Sequence, residues 1–143
     1  MVEVGAKDVT DREAVAKCSL LAGRETIEHL VAGTPKGDPL EAARIAGLLA
    51  VKRTPDLLPF CHPVAVTGAE VAVEPEPAEG RIVVRATVRA TDRTGVEMEA
   101  MTAAAVAALS LYDTAKAFER GARIADLRLV EKRGGRSGDY RGE

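Results

Sequence analysis

Residues 64–90 read VAVTGAEVAVEPEPAEGRIVVRATVRA, and this stretch decides the fold class. Val64 to Val73 and Arg81 to Ala90 are rich in residues that favour strands. The second alternates, with Ile82, Val84, Ala86 and Val88 against Arg81, Val83, Arg85, Thr87 and Arg89. That is the period of a strand with one face on a core. EPEPAEG between them carries the Pro and Gly of a turn, so the two strands pair antiparallel.

Upstream, TPDLLPFCHP (54–63) is punctuated by prolines and reads as irregular backbone. Before it, Asp38 can cap a helix with Pro39 at its first position, where a missing N–H costs nothing. That helix runs to about Arg53, with Leu40, Ala43, Ile45, Ala46, Leu48 and Leu49 as its apolar face. TPKGD (34–38) is a turn, and Arg24 to Ala32 a short helix closed by Gly33. Val9 to Leu21 has no clean period and reads as strand or irregular.

Downstream, Thr94-Gly95-Val96-Glu97 has the spacing of a capping box. The helix it opens runs from about Gly95 to Arg120 and stops at Gly121. Ile124 to Val130 alternates again as a last strand, and EKRGGRSGDYRGE (131–143) is a polar, Gly-rich tail. The order is strand, two helices, two strands, long helix, strand. It corresponds to the split βαβ plan of ferredoxin-like α+β folds, an antiparallel sheet with helices on one face.

A chain of 143 residues is one domain, with a flexible tail from about residue 132. Aromatics are only 3%, too few for a base-stacking platform, and the formal net charge of -2 draws the chain to neither nucleic acid nor membrane. Two cysteines, Cys18 and Cys61, make neither a disulfide scaffold nor a zinc ribbon. The expected setting is soluble, reduced and cytoplasmic.

Four groups of residues can carry chemistry. On the long helix, Met98, Glu99, Thr102, Leu109, Asp113 and Lys116 fall in one sector, and Asp113 with Lys116 is either a solvated ion pair or a functional one. Glu99 and Asp113 are separated by roughly 21 Å along the axis. Both can serve one small ligand only if the site is elongated or assembled between subunits. Cys61 and His62 are adjacent, so they do not face each other as a catalytic dyad, and there are too few partners for a metal site. Prolines on both sides would fix the His62 imidazole, whether for proton transfer or as a turn residue. Of the six lysines, Lys36, Lys52, Lys116 and Lys132 sit beside these features. The tail lacks Walker A spacing and reads as a phosphate flap or a basic tail.

These segments resemble a known family. KGDPLEAARIAGLLAVKRTPDLLPFCHP, ATDRTGVEMEAMTAAAVAALSLYDTAKAF and LVEKRGGRSGDYR are similar to the molybdenum-cofactor biosynthesis protein C family of cyclic pyranopterin monophosphate synthases. The resemblance implies conversion of 3′,8-cyclo-7,8-dihydro-GTP to cyclic pyranopterin monophosphate with release of pyrophosphate. It implies acid–base chemistry with no redox cofactor and names no metal-ligand residue, and a need for Mg²⁺, which many triphosphate sites use, is not legible in the sequence. It also implies catalytic roles for Asp113, Lys116 and Lys36, and substrate contacts from Phe60, Cys61, His62, Met98, Glu99 and Lys132. Phe60 stands where the family has Leu. Arg136 stands where it has Lys, and is assigned binding, because a guanidinium keeps its proton. The implied assembly is a homohexamer, a trimer of dimers with active sites between subunits. The alternatives are a catalytically silent nucleotide-binding regulator on the same fold and a purely structural subunit.

Overall fold

The computed structural model describes residues 1–142. The elements are β1 (Thr10–Leu21), α1 (Arg24–Ala32), α2 (Pro39–Leu57), β2 (Val66–Glu76), β3 (Arg81–Asp92), α3 (Glu97–Ala115), β4 (Arg123–Arg133) and β5 (Tyr140–Arg141). A 3₁₀ turn at Pro77–Glu79 joins β2 to β3. The sheet order is β2-β3-β1-β4-β5, and every neighbouring pair is antiparallel. With β3 between β1 and β2, this is the expected ferredoxin-like α+β arrangement.

Register explains the core. Ala14, Ala16, Cys18 and Leu20 of β1 lie opposite Val88, Ala86, Val84 and Ile82 of β3, and all eight are buried. The helices cover that face, with Ala100, Ala103, Ala104, Ala107, Ala108, Leu111 and Ala115 of α3 turned inward. Cys18 donates its thiol to the Ala104 carbonyl at 3.2 Å, and burial pushes its pKa up to about 11. That thiol is a core residue.

α2 departs from expectation in length and in face. It runs through Pro55 to Leu57, one turn past Arg53. Its buried side is Ala43, Gly47, Ala50, Val51 and Thr54, while Ile45 and Leu49 are exposed. Packing against the alanine surface of α3 requires the small face, so Ile45 and Leu49 point away, while Leu40 and Leu48 still pack at the edge of the core. Gly47 marks the closest approach: a methyl there would sit 3.0 Å from Val71 Cγ2 and 3.1 Å from the Ala103 carbonyl oxygen.

α3 also differs. Its N-cap is Val96, with no side-chain cap bond, so Thr94 closes no capping box. The helix ends at Ala115 and not near Arg120: beyond it Ala117 N and Phe118 N bond back only three residues, to the carbonyls of Thr114 and Ala115, which tightens the chain into a turn. The turn is held from α1: Phe118 stacks on His29 at 4.5 Å, and Glu119 accepts from Gly23 N and Thr26 Oγ1, each at 2.8 Å.

β4 starts at Arg123 and continues to Arg133, with two register shifts against β1 and Asp126 at φ 59°. The tail has a defined path: it turns and returns as β5, pairing Lys132 with Tyr140 and Glu131 with Arg141. Among the described residues no helix is long and apolar enough to cross a membrane.

Candidate active site

The backbone between β3 and α3 forms the floor of a two-chambered cleft. Thr94, Gly95 and Glu97 line both chambers. One chamber, about 550 Å³, is walled by Leu58 to His62 and by Met98 and Glu99. The other, about 540 Å³, is walled by Lys7, Asp8, Thr10, Arg12, Arg93, Lys132, Gly135, Arg136 and Ser137. Five cations against the acids Asp8 and Glu97 give the second chamber a net positive field.

Seven predicted site residues meet in this cleft: Phe60, Cys61, His62, Met98, Glu99, Lys132 and Arg136. Glu99 lies in the first turn of α3 and is 2% exposed. Cys61 Sγ donates to its Oε1 at 3.7 Å, and Oε2 has no partner among the described residues. Burial pushes the Glu99 carboxyl above the usual carboxylate range, and the nearby Glu97 charge adds to this. The Cys61 thiol is also raised, by burial first and then by Glu99. It is therefore a neutral thiol and a poor nucleophile. Its hydrogen bonds go to Glu99 and to the His62 carbonyl, so it forms no dyad with the imidazole.

Lys132 is placed by β4, opposite Ala14 of β1. Its ammonium lies 3.1 Å from Glu97 Oε1 and also bonds Ser137 Oγ across the turn. Phe60 is 78% exposed and Met98 44%, apolar surface that nothing among the described residues covers.

Asp113, Lys116 and Lys36 lie elsewhere, at the far end of α3. The Lys116 ammonium is 2.7 Å from Asp113 Oδ1. This bond holds the Asp113 carboxyl below its ordinary value, and the charge of Lys36 contributes in the same direction. Asp113 in turn raises Lys116, so that amine is a cation at neutral pH. Lys36 sits in the turn closed by Thr34 and Gly37, ahead of Asp38, which caps α2 by accepting from Leu40 N at 2.9 Å. One sector of α3 therefore does not present a single surface: Glu99 is buried, while the Asp113 side chain is 69% exposed.

Sequence reasoning missed Lys7, Arg12, Arg93, Thr94 and Glu97. Their signal is pairing: Thr10 lies opposite Asp92, which brings the start of β1 beside the loop after β3. Arg12 ties the two, donating Nε to the Asp92 carbonyl at 3.2 Å and Nη2 to the Arg93 carbonyl at 3.1 Å. Among the described residues, no group of three or more His, Cys, Asp or Glu side chains is placed to hold a metal ion.

Comparison with known sequences agrees with the quoted motifs. Residues 1–135 match the family model described as the MoaC family. A protein of Roseiflexus sp. (strain RS-1) is 52% identical over 141 residues, covering 98% of this chain and 89% of the relative. One of Streptomyces griseus subsp. griseus is 54% identical over 142 residues, covering 99% and 79%. A third, of Chloroflexus aggregans, is 48% identical over 144 residues, covering 100% and 87%. All three are named cyclic pyranopterin monophosphate synthase.

Proposed function

Since this chain belongs to the MoaC family, we propose that its two groups of functional side chains act across a subunit boundary on one nucleotide. Its activity is that of a cyclic pyranopterin monophosphate synthase, a lyase of molybdenum cofactor biosynthesis. The silent-regulator reading is not favoured, because the relatives are named as synthases over nearly the full chain.

The substrate in this reading is 3′,8-cyclo-7,8-dihydro-GTP. Its triphosphate enters the basic chamber and meets Lys132, Arg136 and Arg12. Its ring system enters the chamber of Phe60, Cys61, His62, Met98 and Glu99. Lys36, Asp113 and Lys116 come from a neighbouring subunit. Lys116, kept protonated by Asp113, is a proton donor and a counter-charge as pyrophosphate leaves and the cyclic phosphate closes.

One observation carries this reading. The two groups stand at opposite ends of α3, fourteen residues apart by number (113 minus 99), or about 21 Å. The exposed Ile45, Leu49 and Leu109 support an assembly in which these helices meet another copy, a homohexamer built as a trimer of dimers. The unpaired thiols Cys18 and Cys61 fit the reducing cytoplasm.

The test is incubation with the cyclised dihydro-GTP. Stoichiometric pyrophosphate and an oxidisable fluorescent pterin are expected. Tight binding without pyrophosphate would leave a nucleotide-binding module in its place.

A further inference from the structure

The turn after β4 borders the basic chamber at a residue with no side chain. Gly134 and Gly135 each have φ +87°, and Gly138 has φ +73°, a region that strains L residues. The three differ in what surrounds them. A methyl at Gly134 would overlap the backbone carbonyl oxygen of Asp11, and one at Gly138 would meet nothing within 4 Å. At Gly135 it would overlap Nη1 of Arg12.

Arg12 commits Nε and Nη2 to the carbonyls of Asp92 and Arg93. That leaves Nη1 beside Gly135, and both residues line the basic chamber. We propose that Gly135 is a positioning residue for this chamber, whose missing side chain lets the turn close against the Arg12 guanidinium and fix where Nη1 points. A side chain at 135 displaces the end of a flexible arginine, not backbone. It therefore damages the anion site before it damages the fold. The inference rests on the reading that the chamber takes phosphates, and it adds a residue to it that contributes no functional group.

The experiment is calorimetric titration of the full-length protein with inorganic tripolyphosphate. Absence of binding by the unaltered protein overturns the phosphate reading itself. Where it binds, Gly135→Ala is expected to weaken affinity at least about tenfold, as loss of a placed arginine–phosphate contact does. Gly138→Ala carries the same backbone strain without the overlap, and stays within about threefold. In an Arg12→Ala background, adding Gly135→Ala produces no further loss, because the group it displaces is gone. Equal losses from Gly135→Ala and Gly138→Ala, or an additive loss in the Arg12→Ala background, overturn the positioning role. If Gly135→Ala alone does not fold, the double variant is expected to fold, and its failure to do so also overturns it.

Discussion

Glu99 and Asp113 lie on one helix, about 21 Å apart along its axis, in opposite electrostatic settings. Glu99 is buried beside a neutral thiol with one oxygen unpartnered. Asp113 is exposed and holds an ammonium at 2.7 Å. Burial raises the first carboxyl and the cation lowers the second, so one helix carries a weak acid at its start and a strong one at its end. Such pairs of divergent carboxyls mark acid and base assignments in enzymes. In one subunit the distance keeps them apart, and in the proposed assembly a neighbouring subunit brings them together.

Lys116→Ala is expected to lower turnover by at least about 10²-fold with the far-ultraviolet circular dichroism unchanged. Lys116→Arg should keep substrate affinity and still lose most of the rate, since a guanidinium does not release its proton at working pH. Pyrophosphate release at saturating substrate checks both. Normal turnover by the arginine variant would reduce Lys116 to an electrostatic clamp.

Glu99 makes stability depend on pH. Its folded carboxyl is raised above the ordinary value of 4.5, so its contribution is complete below that value and is lost as pH rises through the folded one. Glu99→Gln keeps the shape and removes the charge. The variant should be more stable at neutral pH and lose less stability as pH rises above 4.5. Thermal melts of both proteins across that range decide it, and parallel curves would refute it.

How far the sequence could be read depended on what each element packs against. The alternation in β3 and the bounds of α1 were legible, because period and caps are local. The inward face of α2 was not. Hydrophobicity favoured Ile45 and Leu49, while the alanine surface of α3 selected Gly47 and Ala50. Thr94 looked like a cap and instead borders both chambers. The end of α3 was hidden because Phe118 and Glu119 are held by His29 and Thr26 of α1, 89 and 93 residues away in sequence (118 minus 29, 119 minus 26). The residues of the cleft were legible through motifs, and its basic wall became visible only with the pairing of β1 and β3.

Gly47→Ala sets helix propensity against space. Alanine gains up to about 1 kcal/mol in a helix interior, but its methyl would press on Val71 and on the Ala103 carbonyl. Crowding of this kind costs about 1–3 kcal/mol, so a net loss is expected in urea unfolding. A gain would show that α2 and α3 can separate slightly.

The hairpin from Lys132 to Arg141 should gain order when an anion binds. Its glycines 134, 135 and 138 bring no side chain to hold the turn, and Lys132 and Arg136 give it a reason to tighten on an anion. Hydrogen exchange with and without tripolyphosphate should show new protection after Gly134. Equal protection in both states would leave the phosphate clamp to Lys36 and Lys116.

The central claim, one site built by two subunits, is tested most directly by mixing inactive chains. Lys116→Ala removes a group from one end of α3, and His62→Ala removes one from the cleft. Dissociated, mixed in equal amounts and reassembled, random pairing leaves about a quarter of the sites with both groups intact. Pyrophosphate release is predicted to recover to about a quarter of the unaltered rate, while each variant reassembled alone stays inactive. A mixture no more active than the two variants measured separately would contradict the account.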